Sequence, residues 1–332
     1  MTTPGKIVVI GSNSFSGASF VDYCLEQGAE VIGMSRSAEP HEAFLPYRWS
    51  GKQAGFRFYP YDINHHLDQI MTLVEIERPT HVVNFAAQSM VGESWKTPEH
   101  WFQTNVVATV KLHDKLRKCD FLDRYVHVTT PEVYGSVSGK IGEDTPFNPS
   151  TPYAVSRAAA DMSLKTFFEA YRFPVVFTRA ANVYGPGQPL YRIIPRTIFF
   201  VQEGRKLGLQ GGGISMRSFI HIRDVSSATW ALMLGGKPGE TYHISTDRFV
   251  TIRGLVEQIC ALLGADFADS VEITPERLGK DALYALDSTK LRQGFGWTDA
   301  VSLEEGLADC VAWVDRFLTD LRALPQDYIH KP

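Results

Sequence analysis

The sequence predicts an α/β chain whose first part is a doubly wound parallel sheet, and three observations carry that expectation. Six short apolar runs alternate with helical patterns through residues 1–180. The first run ends in the turn Gly11-Ser12-Asn13-Ser14-Phe15-Ser16-Gly17, which opens straight into a helical pattern. After Ala180 the alternation stops, and glycine and proline punctuate the chain at 182–189, 204–213 and 235–239. The expected division is a main domain at 1–180, to which 214–250 returns, and a smaller one made from 181–213 and 251–332.

Residues 6–10 form a short, glycine-bounded apolar run, as in a strand buried on both faces. The next helix is expected over 16–27 and closes on Gly28 at C′. A strand, a glycine turn and a helix N-terminus make an anion site, because unpaired N–H groups and the helix dipole face whatever sits there. A pyrophosphate is the expected occupant, so Gly11, Ser14, Phe15, Ser16 and Gly17 are candidate dinucleotide-binding residues. The second strand, 30–34, is followed by Ser35-Arg36-Ser37, where an acidic residue would hold the adenosine ribose hydroxyls of NAD. A guanidinium flanked by hydroxyls suits a 2′-phosphate, so Ser35 and Arg36 favour NADP, with NAD as the alternative.

The third strand, 56–61, ends at Asp62 and Ile63, which could border an adenine ring. A helix over 65–77 follows, with Leu67, Ile70, Met71, Leu73, Val74 and Ile76 apolar, and His65 and His66 at its exposed start are assigned no metal. A fourth strand is read at 80–86, a long helix at 99–118, a fifth strand at 124–130 and a sixth at 175–178. Ser150 or Thr151 before Pro152 makes a conventional start for the helix after the fifth strand.

Composition narrows the function. A chain of 332 residues, 44% hydrophobic and 21% charged, buries a full core. A net charge of −4 without a basic run argues against nucleic acid or an anionic membrane as the main partner. Cys24, Cys119, Cys260 and Cys310 are scattered, with no C-x-x-C pair and no histidine cluster at metal spacing, so reduced thiols and no metal site are expected. No stretch approaches the roughly 18 apolar residues of a membrane span, and no targeting pattern is read, so a cytoplasmic location is expected.

The centre of the chain runs from Tyr125 to Arg157. The fifth strand ends in Thr129-Thr130-Pro131-Glu132, and Tyr153-Ala154-Val155-Ser156-Arg157 opens the next helix. A hydroxyl and a carboxylate at the strand's end, with a phenol one helical turn from a fixed cation, are the parts needed to move a hydride and protons at an alcohol carbon.

Taken together these motifs resemble the extended short-chain dehydrogenases/reductases, in particular the nucleotide-sugar epimerases and dehydratases. The family's G-x-x-G-x-x-G is matched by Gly11 and Gly17 with Ser14 between them, and its Y-x-x-x-K by Tyr153 with Arg157 in the lysine's place. Further matches are Asn84-Phe85-Ala86-Ala87-Gln88-Ser89, Asn105, Asn182-Val183-Tyr184-Gly185-Pro186, Arg217-Ser218-Phe219, and the stretch 276–287. Glu132 is similar to the acid of the 4,6-dehydratases of the GDP-mannose and dTDP-glucose type. The resemblance implies a Rossmann-type domain and NDP-hexose 4,6-dehydration through Thr130, Glu132, Tyr153 and Arg157. Epimerisation or decarboxylation of the same substrate class, or binding of NADP without catalysis, are the alternatives. It also implies that Ala86 and Ala87 line the cofactor, that Gln88, Ser89, Asn182, Arg192, Arg217 and Arg277 meet the substrate, and that 181–213 with 251–332 is the substrate-binding domain. Asn105 is read as a tie between helix and strand. Finally, it implies a homodimer formed as a four-helix bundle by the helices near 99–118 and 152–171, with Val106, Ala108, Val110, Ala158, Ala159, Met162 and Phe167 on them. Pro131 departs from the dehydratase pattern, because it stands where an acid would protonate the leaving hydroxyl.

Overall fold

A computed structural model describes residues 5–275 and 285–332. Seven strands form one sheet: β1 (Ile7–Ile10), β2 (Val31–Met34), β3 (Phe56–Tyr59), β4 (His81–Asn84), β5 (Arg124–Val128), β6 (Val175–Ala180) and β7 (Thr241–Ile244). Their order across the sheet is β7-β6-β5-β4-β1-β2-β3, and every neighbouring pair is parallel. The expected doubly wound sheet is therefore present. The order reverses between β1 and β4, which is where such sheets hold a ligand beyond their C-terminal edge.

Burial on both faces explains why the strands read as unbroken apolar runs. Ile7 and Val9 pack with Ala18, Phe20, Val21 and Cys24 of α1 (Phe15–Glu26). Val8 and Ile10 face the other way, onto Ile70 and Val74 of α2 (Leu67–Glu77) and Ala108, Leu112 and Leu116 of α3. Helix α3 is one run made of Pro98–Phe102, Gln103–Ala108 and Thr109–Leu116, and its middle piece is π-helical. The expected uniform helix over 99–118 thus carries a bulge, which periodicity alone does not reveal. Helix α4 (Pro152–Tyr171) is capped by Thr151, whose hydroxyl accepts from the Ala154 N–H.

A seventh strand extends the six that were expected. Its four residues, Thr-Tyr-His-Ile, pair with Phe177–Ala180 of β6 and are too short to stand out in the sequence. The stretch before it contributes α6 (Ile222–Gly235), which lies against α1 and buries Ile222, Val225, Ala228 and Leu232 over the sheet. A separate core gathers α5 (Ile193–Gln202), α7 (Ile252–Leu262) and α8 (Leu303–Ala323) around Ile194, Ile198, Leu255, Ile259, Trp313 and Phe317. Ala43, from the stretch after β2, belongs to this second core, and the Trp313 indole donates to its carbonyl at 2.7 Å.

Candidate active site

Gly11 ends β1 with φ at +83°, and a Cβ there would sit 2.7 Å from the Ala86 amide nitrogen. A Cβ on Gly17 would lie 2.1 Å from the Gly11 carbonyl oxygen, so both glycines are required by close packing of the turn. Ser14 does more than fill the middle position. Its hydroxyl donates to the Gly11 carbonyl at 2.7 Å and accepts from the Gly17 N–H at 3.2 Å, which closes the turn and caps α1. Phe15 and Ser16 are the first helical residues, so their N–H groups have no place in the helical ladder. The buried Ser12 hydroxyl has no partner among the described residues. A turn of this kind, at the sheet's switch point and with an unmatched polar atom, fits a dinucleotide's pyrophosphate.

Around the turn, the Asn13 N–H donates to Ser35 Oγ at 3.1 Å, and the Asn13 side chain donates to the Ser37 carbonyl at 3.1 Å. Asp62 is nearly buried and accepts from the Asn64 N–H at 2.7 Å, with Ile63 buried beside it. The Ala86 N–H donates to Asn84 Oδ1 at 2.9 Å, and Ala87 is half-buried. Asn105, inside the π-helical stretch, ties helix to strand end as expected: Oδ1 accepts from the Gln88 N–H at 2.8 Å, while Nδ2 donates to the Gln88 carbonyl at 3.0 Å and to Ser156 Oγ at 2.9 Å.

The chemistry-bearing groups meet where β5 ends beside the start of α4. Thr130 is extended and caps the short turn Pro131–Tyr134, its hydroxyl accepting from the Glu132 N–H at 3.3 Å. Tyr153 is nearly buried and is hydrogen-bonded to Thr130. Burial raises the Tyr153 pKa, and the Glu132 charge adds to this; the Arg157 charge, the Thr130 bond and the Arg192 charge oppose it. The resting phenol is therefore neutral, and the two cations with the Thr130 hydroxyl are what favours its anion.

Arg157 lies one turn from Tyr153 but is buried, and Nη2 donates to the Val128 carbonyl. Its neighbours His113 and His127 are kept neutral by burial first and by the Arg157 charge second, His113 being pushed down to about 3. One turn further along α4, Asp161 accepts from Arg179 Nη2 at 2.8 Å and from Thr129 Oγ1 at 3.1 Å. One nitrogen of the guanidinium is thus committed to the backbone at the strand's end, the buried Nε has no partner among the described residues, and the influence of Arg157 on Tyr153 is through charge.

Several expected ligand contacts are redirected. Arg36 Nη1 donates to the Lys331 and Pro332 carbonyls at 2.8 and 3.0 Å, which ties one nitrogen of the guanidinium read as a 2′-phosphate reader to the end of the chain's last described segment. Asn182 Nδ2 donates to the Ser218 carbonyl at 3.1 Å, tying two short strands together. Arg217 Nη1 donates to the Met216 carbonyl at 2.8 Å, a local contact. Arg192 precedes α5 and acts electrostatically on Tyr153, so it does belong to the cluster. Gln88 is buried beside the turn and Ser89 is exposed. Arg277 lies outside the described residues. The sequence reading missed His100, Trp101, Tyr328 and His330, which meet at the mouth of the groove; the aromatic residues in 326–332 were the only available signal.

Over residues 8–310 the chain matches the profile of a family described as GDP-mannose 4,6 dehydratase. The chain belongs to the GDP-mannose 4,6-dehydratase family. A dTDP-glucose 4,6-dehydratase from Streptomyces niveus is 35% identical over 315 residues, covering 93% of this chain and 92% of that protein. The family's solved structures include a dTDP-glucose 4,6-dehydratase from Streptomyces venezuelae with NAD bound, which superposes with a TM-score of 0.86 at 31% identity and covers 94% of this chain and 97% of its own. One from Bacillus anthracis, in complex with NAD, has a TM-score of 0.84 at 30% identity and covers 94% and 97%. The resemblance to nucleotide-sugar 4,6-dehydratases is borne out. The family's Rossmann-type sheet is the one described above.

Proposed function

We propose that this chain is a nucleotide-sugar 4,6-dehydratase that converts an NDP-hexose into an NDP-4-keto-6-deoxy-hexose. The observation that carries the reading is the meeting of Thr130, Glu132 and Tyr153 at one point beside the dinucleotide groove. When bound, the nicotinamide supplies a hydride store, accepting hydrogen from C4 and giving it back at C6. Tyr153, as its anion, takes the 4-hydroxyl proton and releases it to solvent. The Thr130 hydroxyl donates to the forming 4-carbonyl oxygen and polarises it. Glu132 removes the acidified C5 proton. Pro131 has no proton to give, so the Glu132 carboxyl hands its proton to the departing 6-hydroxyl, which leaves as water. C5 is finally reprotonated from solvent, so the net change is the loss of one water. The segments 181–213 and 251–332 hold the nucleotide-sugar.

The cofactor is NAD in preference to the NADP suggested by Arg36 alone. Arg36 Nη1 is engaged by two carbonyls, and the solved relatives carry NAD. Mass spectrometry of the protein with NAD and a panel of GDP-, UDP-, CDP- and dTDP-hexoses tests the reading. Loss of one water from a panel member is expected; an unchanged mass with altered chromatography would replace dehydration by epimerisation, and loss of carbon dioxide from a glucuronate by decarboxylation.

The working assembly is a homodimer. Of the residues expected at the bundle, Ala108 and Ala158 are buried within the monomer and Met162 is 61% exposed, and Phe102, Val107, Val155 and Tyr171 are further exposed large hydrophobics on α3 and α4. Light scattering should give twice the chain mass, and Met162→Glu should halve it. A monomeric wild-type protein would remove the dimer. Four buried, unpaired thiols suit a reducing compartment, the cytoplasm.

A further inference from the structure

Beyond α8 the chain doubles back over the C-terminal edge of the sheet. Arg205 donates to Gln326 Oε1 at 2.6 Å and Arg196 pairs with Asp327 at 2.7 Å, which fixes the start of this segment. Tyr328 packs edge-on against Tyr191 with ring centres 5.5 Å apart. His330 stacks on Trp101 at 5.0 Å with the rings 6° from parallel, and its Nε2 lies 2.9 Å from His100 Nδ1. One residue on, the Lys331 carbonyl accepts from Arg36 Nη1 at 2.8 Å and from Gln88 Nε2 at 2.7 Å.

Arg36 follows β2 and Gln88 follows β4, and in the sheet β1 with its glycine turn lies between them. The Lys331 contacts therefore bridge the groove directly over the turn that fits the pyrophosphate. With both nitrogens within 2.8 Å of one oxygen, a dinucleotide has no passage between them. We propose that residues 326–332 are a strap across the cofactor groove, which must open for the dinucleotide to enter or leave and which sets its choice by occupying Arg36.

The inference rests on the dehydratase reading and adds to it. Because that reaction restores the cofactor in every cycle, a strap that slows exchange does not slow turnover. By holding Arg36 Nη1 on two backbone carbonyls, it also denies that nitrogen to a 2′-phosphate. Removing the His330 ring deletes its stacks on Trp101 and His100 and its hydrogen bonds with His100 and Tyr328, and His330 belongs to neither core.

The test follows NADH release by stopped-flow loss of tryptophan-to-nicotinamide energy transfer in the wild type, His330→Ala and Tyr328→Ala. Release on the order of tenfold faster is expected in His330→Ala, from the lost stacks and hydrogen bonds, with a smaller rise in Tyr328→Ala. Affinity for NADP should rise relative to NAD, with the circular dichroism spectrum unchanged. Equal release rates in all three proteins, with the wild type dehydrating its sugar, would overturn the strap and leave the proposed function standing. No NADH binding by any of them would remove the dinucleotide reading and the strap together.

Discussion

Replacing Tyr153 by phenylalanine is expected to lower kcat by about 10²- to 10⁴-fold, the usual worth of a positioned acid or base, with NAD binding retained. The ring packs at the start of α4 and keeps its volume in the variant, so the helix and its Thr151 cap stay in place. What disappears is the phenol that, among the described residues, is both bonded to Thr130 and within the fields of Arg157 and Arg192. Burial and Glu132 raise the Tyr153 pKa, so the fraction of anion grows as pH rises, and the wild-type rate should climb on the alkaline side. That limb should be missing from the residual activity of Tyr153→Phe. A variant with more than a tenth of wild-type kcat and the same pH profile would take the proton transfer away from Tyr153.

Glu132→Gln separates the two halves of the reaction. The side chain keeps its shape and loses its basicity, so C4 oxidation should survive while water loss falls by about 10²- to 10⁴-fold. The direct readout is the sugar: a species oxidised at C4 should build up, and uptake of deuterium at C5 should stop. The effect is expected to be large because Pro131, the next residue along, has no proton to offer in compensation. Normal water loss in this variant would assign the elimination to another group.

How much of this could be read from the sequence depended on how local each cause was. The unit of β1, glycine turn and α1 was legible because strand burial, the tight approach at Gly11 and Gly17 and the Ser14 cap all act within a few residues. The convergence of Thr130 and Tyr153 was legible for a related reason: each sits at the end of an element whose place in a parallel sheet is fixed by topology. Arg36 misled because its partners lie 295 and 296 residues away, beyond any pattern of spacing. Asn182 and Arg217 have side chains of the right chemistry for phosphate, and each also bonds a carbonyl, Asn182 that of Ser218, 36 residues on, and Arg217 that of Met216 beside it. The strap gave little warning, since a short segment with two aromatic rings, Tyr328 and His330, has no period to detect.

The π-helical stretch in α3 sets a constraint of length rather than of chemistry. A π turn is an α-helix carrying a surplus residue, and here that surplus aims Asn105 at both the Gln88 backbone and Ser156. Deleting one residue between 103 and 108 would restore regular winding and leave the turns on either side nearly in phase, because the π turn already absorbs the surplus residue. The apolar stripe of Leu112 and Leu116 would stay on the sheet, and Asn105 would lose its aim at the strand end. The surplus residue therefore serves the tie to the strand end rather than the packing of the helix.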